Sequence, residues 1–174
     1  MTPTEDPTTS PTRLFVAVRP TEPATTALRA LPRDEQPGVR WSAPENWHVT
    51  LRFLGDASMP EVIAALSSMP LPSPRTVALG PMITLLGNAI VVRADGLDEV
   101  ANQVAVATSA WGTVDEGRPF LGHLTLGRLR RANTSCRLLG RPFRSTFTLD
   151  AIELLASEQR NGKTWYRPAH RWPI

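Results

Sequence analysis

The sequence has little cysteine, lysine or tyrosine and no long apolar run. Its one cysteine, Cys136, excludes an internal disulfide and a metal site built from several cysteines. No apolar segment approaches the length that spans a bilayer. Residues 1–12 are polar and rich in Thr and Pro, and they lack the basic and apolar regions of a secretory signal. We therefore expect a disordered leader over 1–12, a cytoplasmic location and no membrane partner.

Length and composition indicate an ordinary soluble domain. The chain has 174 residues, of which 41% are hydrophobic and 20% are charged. A chain of this size can bury a substantial core within one domain, which we place at residues 13–174. We expect a monomer.

The basic residues are almost all arginine, and they are distributed unevenly. Only Lys163 is a lysine among the 19 basic residues. Residues 1–117 carry 8 basic and 13 acidic side chains, a balance of −5, whereas residues 118–174 carry 11 basic and 3 acidic ones, a balance of +8. A preference for arginine codons explains the ratio of arginine to lysine. The basic C-terminal part suits a polyanionic ligand such as RNA.

Strand-like and helix-like segments alternate along the chain. The patterns predict helices over 21–33 with Thr21 as N-cap, from Ser58 onward, and over 96–112. Strands are predicted over 13–20, within 39–55 as a short strand, a Pro-containing loop and the His48 strand, in three short runs within 76–94, over 143–159 as one long run, and after an Asn161-Gly162 hairpin turn. The pattern favours an α+β fold of short antiparallel strand groups with helices on their outer faces.

Two His-x-Thr units stand out within this pattern. The first is in NWHVTLRFLG (46–55), where alternation places His48, Thr50 and Arg52 on one face of a strand and Val49, Leu51 and Phe53 on the core face. The second is in HLTLGR, with His123 and Thr125 on one face. The units lie 75 residues apart, and each follows a strand and a helix. This repetition predicts two lobes related by a pseudo-twofold axis.

Two such faces opposite one another suit displacement at phosphorus. A neutral imidazole accepts a proton from the attacking oxygen, while a protonated one donates to the leaving oxygen, each contributing roughly 10²–10⁴-fold. The threonine hydroxyls can donate to the non-bridging phosphate oxygens. No metal or cofactor is expected, because the sequence has no clustered His, Asp and Glu ligands.

The segments HVTLRFLG and RPFLGHLTLGR resemble the paired HxTx signatures of the two-histidine phosphoesterase superfamily. The similarity extends from RLFVAV through WSAPENWHVTLRFLG to IELLASEQRNGKTWYRPAHRWPI, and is strongest for the LigT-like RNA 2′,3′-cyclic phosphodiesterases. The resemblance implies a bilobal fold with the active cleft between two antiparallel sheets. Gly122 and Gly127 depart from the proline and alanine usual in the family, and we expect them to loosen the second strand.

The resemblance also implies an activity, site residues and partners. It implies hydrolysis of RNA 2′,3′-cyclic phosphate ends, tRNA fragments among them, to 2′-phosphomonoesters, with 2′-5′ RNA ligase activity as a second reaction. His48 is then the proton donor and His123 the acceptor, with Thr50 and Thr125 on the phosphate. The alternatives are a phosphodiesterase for a small cyclic or 2′-5′-linked nucleotide and a non-catalytic RNA- or nucleotide-binding module.

Three further residues are candidates for contact with the substrate. Arg52 and Arg128 follow the two motifs and can meet phosphate or the RNA backbone. Phe15, in the first strand, can stack on a base, although core packing is the simpler role. His170 lacks a threonine partner and is expected to be structural or exposed.

Overall fold

The computed structural model describes residues 13–112, 119–131, 134–160 and 163–174. Its helices are α1 (Ala24–Arg29), α2 (Met59–Ser67) and α3 (Asp98–Ala107), with a short 3-10 helix over Pro44–Asn46. Its strands are β1 (Arg13–Val18), β2 (Val39–Trp41), β3 (Val49–Gly55), β4 (Thr76–Leu86), β5 (Ala89–Asp95), β6 (His123–Leu129), β7 (Ser145–Thr148), β8 (Ala151–Arg160) and β9 (Lys163–Pro173). In these ranges no helix is long and apolar enough to cross a membrane.

The strands form one antiparallel sheet with the two histidine strands in its middle. The order is β7-β4-β5-β6-β3-β1-β8-β9, and β2 pairs with the far end of β6. Only Val49 and Leu124 are paired between β3 and β6 in the described part of the chain. The first half-sheet (β3, β1, β8, β9) and the second half-sheet (β6, β5, β4, β7) therefore diverge from this point. The predicted α+β class with antiparallel strands is confirmed, and the two predicted sheets are joined through this pair.

One face of the sheet, here called the helix face, carries the main core. Alternate side chains of β1, β3, β5 and β6, such as Val16, Val49, Val92 and Leu124, are buried there with residues of all three helices. The opposite face, here called the cleft face, has a small apolar cluster of Phe15, Ala17 and Leu155 with Tyr166 against it. Polar and charged side chains beside this cluster therefore extend from well-packed strands.

Both histidine strands have a bulge at the same distance from the histidine. In β3 the pairing with β1 passes from Thr50 to Arg52 and skips Leu51. In β6 the pairing with β5 skips Leu126 in the same way. Since a bulge adds one residue to one strand, it changes which face the following side chains occupy. The repeated bulge supports the predicted duplication of the two halves.

The bulges correct the predicted alternation of the first motif. Phe53, predicted on the core face, is 69% exposed, whereas Leu54 is buried in its place. Phe53 pairs with Phe15 of the cleft face, and their ring centroids are 5.9 Å apart. Arg52 pairs with Val16 of the helix face, so it does not share a face with Thr50. Strict alternation fails because Leu51 is an extra residue in the ladder.

Other predicted boundaries change as well. The run over 143–159 is two strands: β7 lies at one edge of the sheet, and β8 lies beside β1 in the other half-sheet. Helix α1 begins at Ala24 rather than at Thr21, whose hydroxyl instead donates to the Thr148 carbonyl oxygen. The expected leader (1–12) and the turn residues 161–162 lie outside the described residues, although the β8–β9 pairing on which the turn prediction depends is present.

The two unusual glycines permit close packing, and our expectation that they loosen the strand is wrong. A Cβ atom at Gly122 would collide with the Ala94 carbonyl oxygen. A Cβ atom at Gly127 would lie 2.8 Å from Cε3 of the Trp41 ring. Because no side chain intervenes, β6 lies tightly against its neighbours on both sides of the second motif.

Candidate active site

The two histidines lie at the start of the two central strands, where the half-sheets diverge. His123 is the first residue of β6, and His48 directly precedes β3. Both are partly exposed, and each is followed by a fully buried residue, Val49 or Leu124. The buried neighbours anchor the strands on the helix face, so the imidazoles are held on the cleft face.

Both imidazoles are fixed by the same local hydrogen bond. Nδ1 of His48 lies 2.7 Å from the Asn46 carbonyl oxygen, and Nδ1 of His123 lies 2.8 Å from the Leu121 carbonyl oxygen. A carbonyl oxygen only accepts, so Nδ1 carries the proton in both rings. When a ring with this tautomer is neutral, its Nε2 is an acceptor, and neither Nε2 has a partner in the described part of the chain. This arrangement suits proton transfer through Nε2 in both motifs.

The register between the histidine strands relates one motif to the other. Val49 pairs with Leu124, and each directly follows its histidine. Continuing the antiparallel register by one residue in each direction places each histidine across from the threonine of the other motif. The four side chains thus form an alternating set around a local twofold axis, which passes between the paired residues.

The threonines occupy equivalent positions on the cleft face. Thr50 pairs with Ala17 of β1, and Thr125 pairs with Val91 of β5. Both threonines are partly exposed, and neither hydroxyl has a hydrogen-bond partner among the described residues. Two free donors beside two free imidazole nitrogens can bind the oxygens of a tetrahedral anion.

The surroundings of the two histidines differ. His48 lies against aromatic rings, with ring centroids 5.1 Å from Phe15 and 5.0 Å from Tyr166. Burial lowers the pKa of His48 from 6.5 to about 4, and the hydrogen bond to Asn46 only partly opposes this effect. The charges of Arg19 and His123 lower the pKa further. His48 is consequently neutral near pH 7 in the ligand-free protein.

Arg19 is held beside His48 by a carboxylate. Its Nε donates to Oε2 of Glu153 at 2.8 Å, and its Nη1 donates to the Glu45 carbonyl oxygen. Glu153 is only 9% exposed and also lies 3.7 Å from Nε of Arg171. Because Arg19 follows Val18, which pairs with Val49, the register places it next to His48. The sequence interpretation missed Arg19, although it continues the alternation of Phe15 and Ala17.

Arg93 takes the corresponding place beside the other histidine. It pairs with His123 in the ladder between β5 and β6, so both side chains are on the cleft face. Its Nε donates to Asp95 at 2.6 Å, which raises the pKa of Arg93. Alternation in the β5 sequence places it on the same face as Val91, but the sequence does not show that β5 lies next to β6. An arginine therefore accompanies each histidine.

The two arginines predicted to contact the substrate lie on opposite faces. Arg128 pairs with Ala89, beyond the Leu126 bulge, and is exposed on the cleft face, where Nη1 donates to Oδ1 of Asn88 at 3.2 Å. Arg52 is on the helix face, and its Nη2 donates to the Trp111 carbonyl oxygen at 3.0 Å. Its Nε is buried without a partner in the described part of the chain. The placement of Arg52 on the cleft face is thus wrong, because the bulge turns it towards α3.

Phe15 is a packed residue and His170 is an exposed one, as the simpler prediction for each residue stated. Phe15 is 3% exposed, packed under His48 and 5.3 Å from the Tyr166 ring centroid. His170 is exposed and lies against Trp172, with ring centroids 4.5 Å apart. Tyr166, the single tyrosine, was not predicted near the site, since the sequence does not show that β8, with β9 next to it, lies beside β1.

No group of three or more His, Cys, Asp and Glu side chains in the described ranges could hold a metal ion. Arg19 and Arg93 instead place a positive charge beside each histidine. The cleft face therefore combines two proton-transfer groups, two hydroxyl donors and fixed positive charge, as binding and chemistry at a phosphate require.

Comparison with known proteins agrees with this geometry. The family described as LigT like Phosphoesterase matches residues 16–76, which include the first motif. Escherichia coli LigT in complex with 3′-AMP is 26% identical with a TM-score of 0.72, covering 95% of this chain and 99% of that one. The Thermus thermophilus protein TT0787 has the same fold, with 21% identity, a TM-score of 0.74 and coverage of 92% and 97%. No curated protein matches the chain.

The repeated motif on two half-sheets, the match of residues 16–76 to the LigT-like model and the similarity to Escherichia coli LigT over nearly the whole of both chains support a two-histidine phosphoesterase of the LigT-like kind.

Proposed function

We propose that this protein hydrolyses RNA 2′,3′-cyclic phosphate ends to 2′-phosphomonoesters without a metal ion. The main support is the pair of imidazoles at the central strands, each with Nδ1 on a carbonyl oxygen and Nε2 free. The hydroxyls of Thr50 and Thr125 are free in the described part of the chain to donate to the non-bridging oxygens. The similarity to a LigT crystallised with 3′-AMP favours a ribonucleotide as the reacting end.

The reaction has one proton acceptor and one proton donor. A water oxygen attacks phosphorus and its proton passes to Nε2 of the acceptor imidazole, while the bond from phosphorus to the 3′ oxygen breaks. The donor imidazole protonates that oxygen, which leaves a 3′ hydroxyl and a 2′-phosphomonoester. Because attacking and leaving oxygens lie on opposite sides of phosphorus, the two groups must come from opposite sides of the cleft.

The resemblance to the family assigns donation to His48 and acceptance to His123. In the ligand-free protein His48 is neutral, since burial lowers its pKa to about 4. A donor must therefore take up a proton as the substrate binds. An anionic phosphate favours this uptake, because a nearby negative charge stabilises imidazolium, and more strongly where water is excluded.

Ligase activity uses the same groups in the same direction. A ribose 5′ hydroxyl replaces water as the attacking group and gives its proton to the acceptor imidazole, while the bond from phosphorus to the 3′ oxygen breaks and the donor imidazole protonates that oxygen. We propose it as a secondary reaction, since nothing in the cleft beyond the two motifs is needed for it.

The decisive experiment measures hydrolysis of a short RNA ending in a 2′,3′-cyclic phosphate, in EDTA, with phosphorus NMR to identify the monoester. Wild-type protein should yield the 2′-phosphate, and His48→Ala and His123→Ala should each lose at least roughly 10²–10⁴-fold in kcat. His170→Ala is the matched control, because that histidine is exposed and lies on Trp172. Inactivity of the wild type towards this RNA, with binding retained, would support the non-catalytic module instead.

Turnover of small cyclic nucleotides with no preference for the RNA end would favour the other alternative, a phosphodiesterase for small substrates. Loss of activity in EDTA would contradict the metal-free reaction.

A further inference from the structure

A row of arginines lies on the cleft face beyond the second motif. Arg40 of β2 pairs with Arg128 of β6, and the flanking pair, Val39 and Leu129, is buried on the helix face. Alternation therefore turns Arg40 and Arg128 to the cleft face. The amide nitrogen of Arg130 donates to the Gly38 carbonyl oxygen at 2.8 Å, which continues the ladder by one residue. Arg130 therefore falls on the same face as the other two.

This arginine strip (Arg40, Arg128 and Arg130) is not neutralised by acidic side chains in the described part of the chain. By contrast, the arginines beside the two histidines each have a carboxylate within 2.8 Å, Glu153 for Arg19 and Asp95 for Arg93. Like charges directly opposite each other in a ladder are destabilising. The pairing of Arg40 with Arg128 thus has a cost in free energy of folding, which an anionic ligand would remove.

The strip leads away from the catalytic groups along β6. Arg128 lies five residues after His123, a distance on the order of 15 Å along a strand. Two cavities adjoin its far end, of about 360 and 400 Å³, and Arg130 and Arg131 line both. The strip therefore extends positive charge past the site at which a single nucleotide would react.

We propose that Arg40 and Arg130, on either side of Arg128, bind the phosphodiester backbone of single-stranded RNA leading into the cleft. The inference rests on the function proposed above and specifies its substrate as an oligonucleotide rather than a mononucleotide. Cations that lack acidic partners suit the phosphates of a nucleic acid. Arg128 and Arg130 follow one another along and just past β6, and Arg40 lies across from Arg128, so the three charges form one group that suits a single backbone, whereas a duplex presents two.

The test compares a hexanucleotide and a mononucleotide that end in the same 2′,3′-cyclic phosphate. The ratio of their kcat/KM values should fall about threefold to tenfold in Arg40→Gln and in Arg130→Gln. Arg29→Gln, which removes the same charge from an exposed site on α1, should leave the ratio unchanged. Thermal unfolding of each variant identifies any loss of folding, and a properly folded variant with an unchanged ratio contradicts the proposal.

A second measurement does not depend on turnover. Fluorescence anisotropy gives the Kd of a labelled hexanucleotide ending in a 3′-phosphate as a function of KCl concentration. The slope of log Kd against log[KCl] should decrease by about 0.7 in Arg40→Gln, as expected for one lost contact to single-stranded RNA. An unchanged slope overturns the proposal, as does tighter binding of a duplex of the same sequence. If the wild type hydrolyses neither substrate, the proposed function fails, while this slope still decides the role of the strip.

Discussion

Val49 pairs with Leu124, and this contact joins the two histidine strands at the centre of the sheet. Both side chains are fully buried on the helix face, so the residues before and after them are turned to the cleft. The contact therefore sets the positions of both imidazoles and both hydroxyls at once.

The roles of the two histidines can be separated with a better leaving group. When the bridging 3′ oxygen of the cyclic phosphate is replaced by sulfur, the departing thiolate needs little protonation. His48→Ala, which lacks the proposed donor, should then recover most of its lost kcat relative to wild type, whereas His123→Ala should not. Single-turnover rates with the oxygen and sulfur substrates measure this difference. Recovery by His123→Ala alone would reverse the assignment.

The lowered pKa of His48 predicts an acid-sensitive protein. Between pH 6.5 and about 4, the unfolded chain binds a proton at this residue that the folded chain does not bind. The free energy of unfolding should therefore rise with pH across this window and fall as the pH drops through it. The free energy of unfolding, measured with urea, should differ less between pH 5 and pH 7 in His48→Gln than in wild type. His170→Gln should keep the wild-type difference.

NMR titration checks the same pKa directly. The His48 imidazole should titrate near pH 4 in the free protein, and its midpoint should rise when a 3′-phosphorylated dinucleotide binds. Arg19→Met should also raise the midpoint, because the Arg19 charge contributes to lowering it. A His48 midpoint near 6.5 in the wild type would contradict the buried environment described for this ring.

The threonine hydroxyls should act on the transition state. Thr50→Val and Thr125→Val keep the shape of the side chain and remove the donor, so each should decrease kcat roughly 10²–10³-fold. Thr→Ser at either position should retain most of the activity, since it keeps the hydroxyl. Steady-state kinetics on the cyclic phosphate substrate decide the matter. Equal kcat values for the Val and Ser variants would show that the threonines contribute only to strand structure and not to catalysis.

Arg52 should be important for stability and not for substrate binding. Arg52→Met removes the hydrogen bond to the Trp111 carbonyl oxygen, and a charge-assisted bond of this kind contributes about 1.5–3 kcal/mol to the free energy of unfolding. The melting temperature should therefore drop by several degrees, while KM for the RNA substrate stays near the wild-type value. Arg128→Met should show the opposite, with an increased KM and little change in melting temperature.

Sequence reasoning found the two motifs because alternation near each histidine is regular. It failed at Arg52 and Phe53, since the skipped Leu51 is an ordinary strand residue with no glycine or proline to mark a bulge. It also missed Arg19 and Arg93, whose importance depends on which strand lies next to each motif. Strand adjacency is a long-range property, and local patterns do not determine it.

The split of residues 143–159 has a similar cause. Both pieces have strand-forming sequences, and the break at Leu149-Asp150 is short. The chain there crosses from the outer strand of one half-sheet to the inside of the other, where Leu149 donates its amide to the Arg75 carbonyl oxygen. Such a crossing depends on the packed sheet, so propensity alone predicted a continuous strand.

After the equivalent bulges in β3 and β6, the two halves of the cleft present different side chains. Phe53 and Arg128 both lie five residues after a histidine, and each pairs with the corresponding position of the neighbouring strand, Phe15 or Ala89. One half therefore presents a ring where the other presents a cation. A ligand rotated by half a turn about the local twofold axis would contact nearly the same backbone. The side chains around its two ends would, however, be exchanged. The backbone repeats while the side chains do not, so the two imidazoles have different surroundings on otherwise equivalent strands.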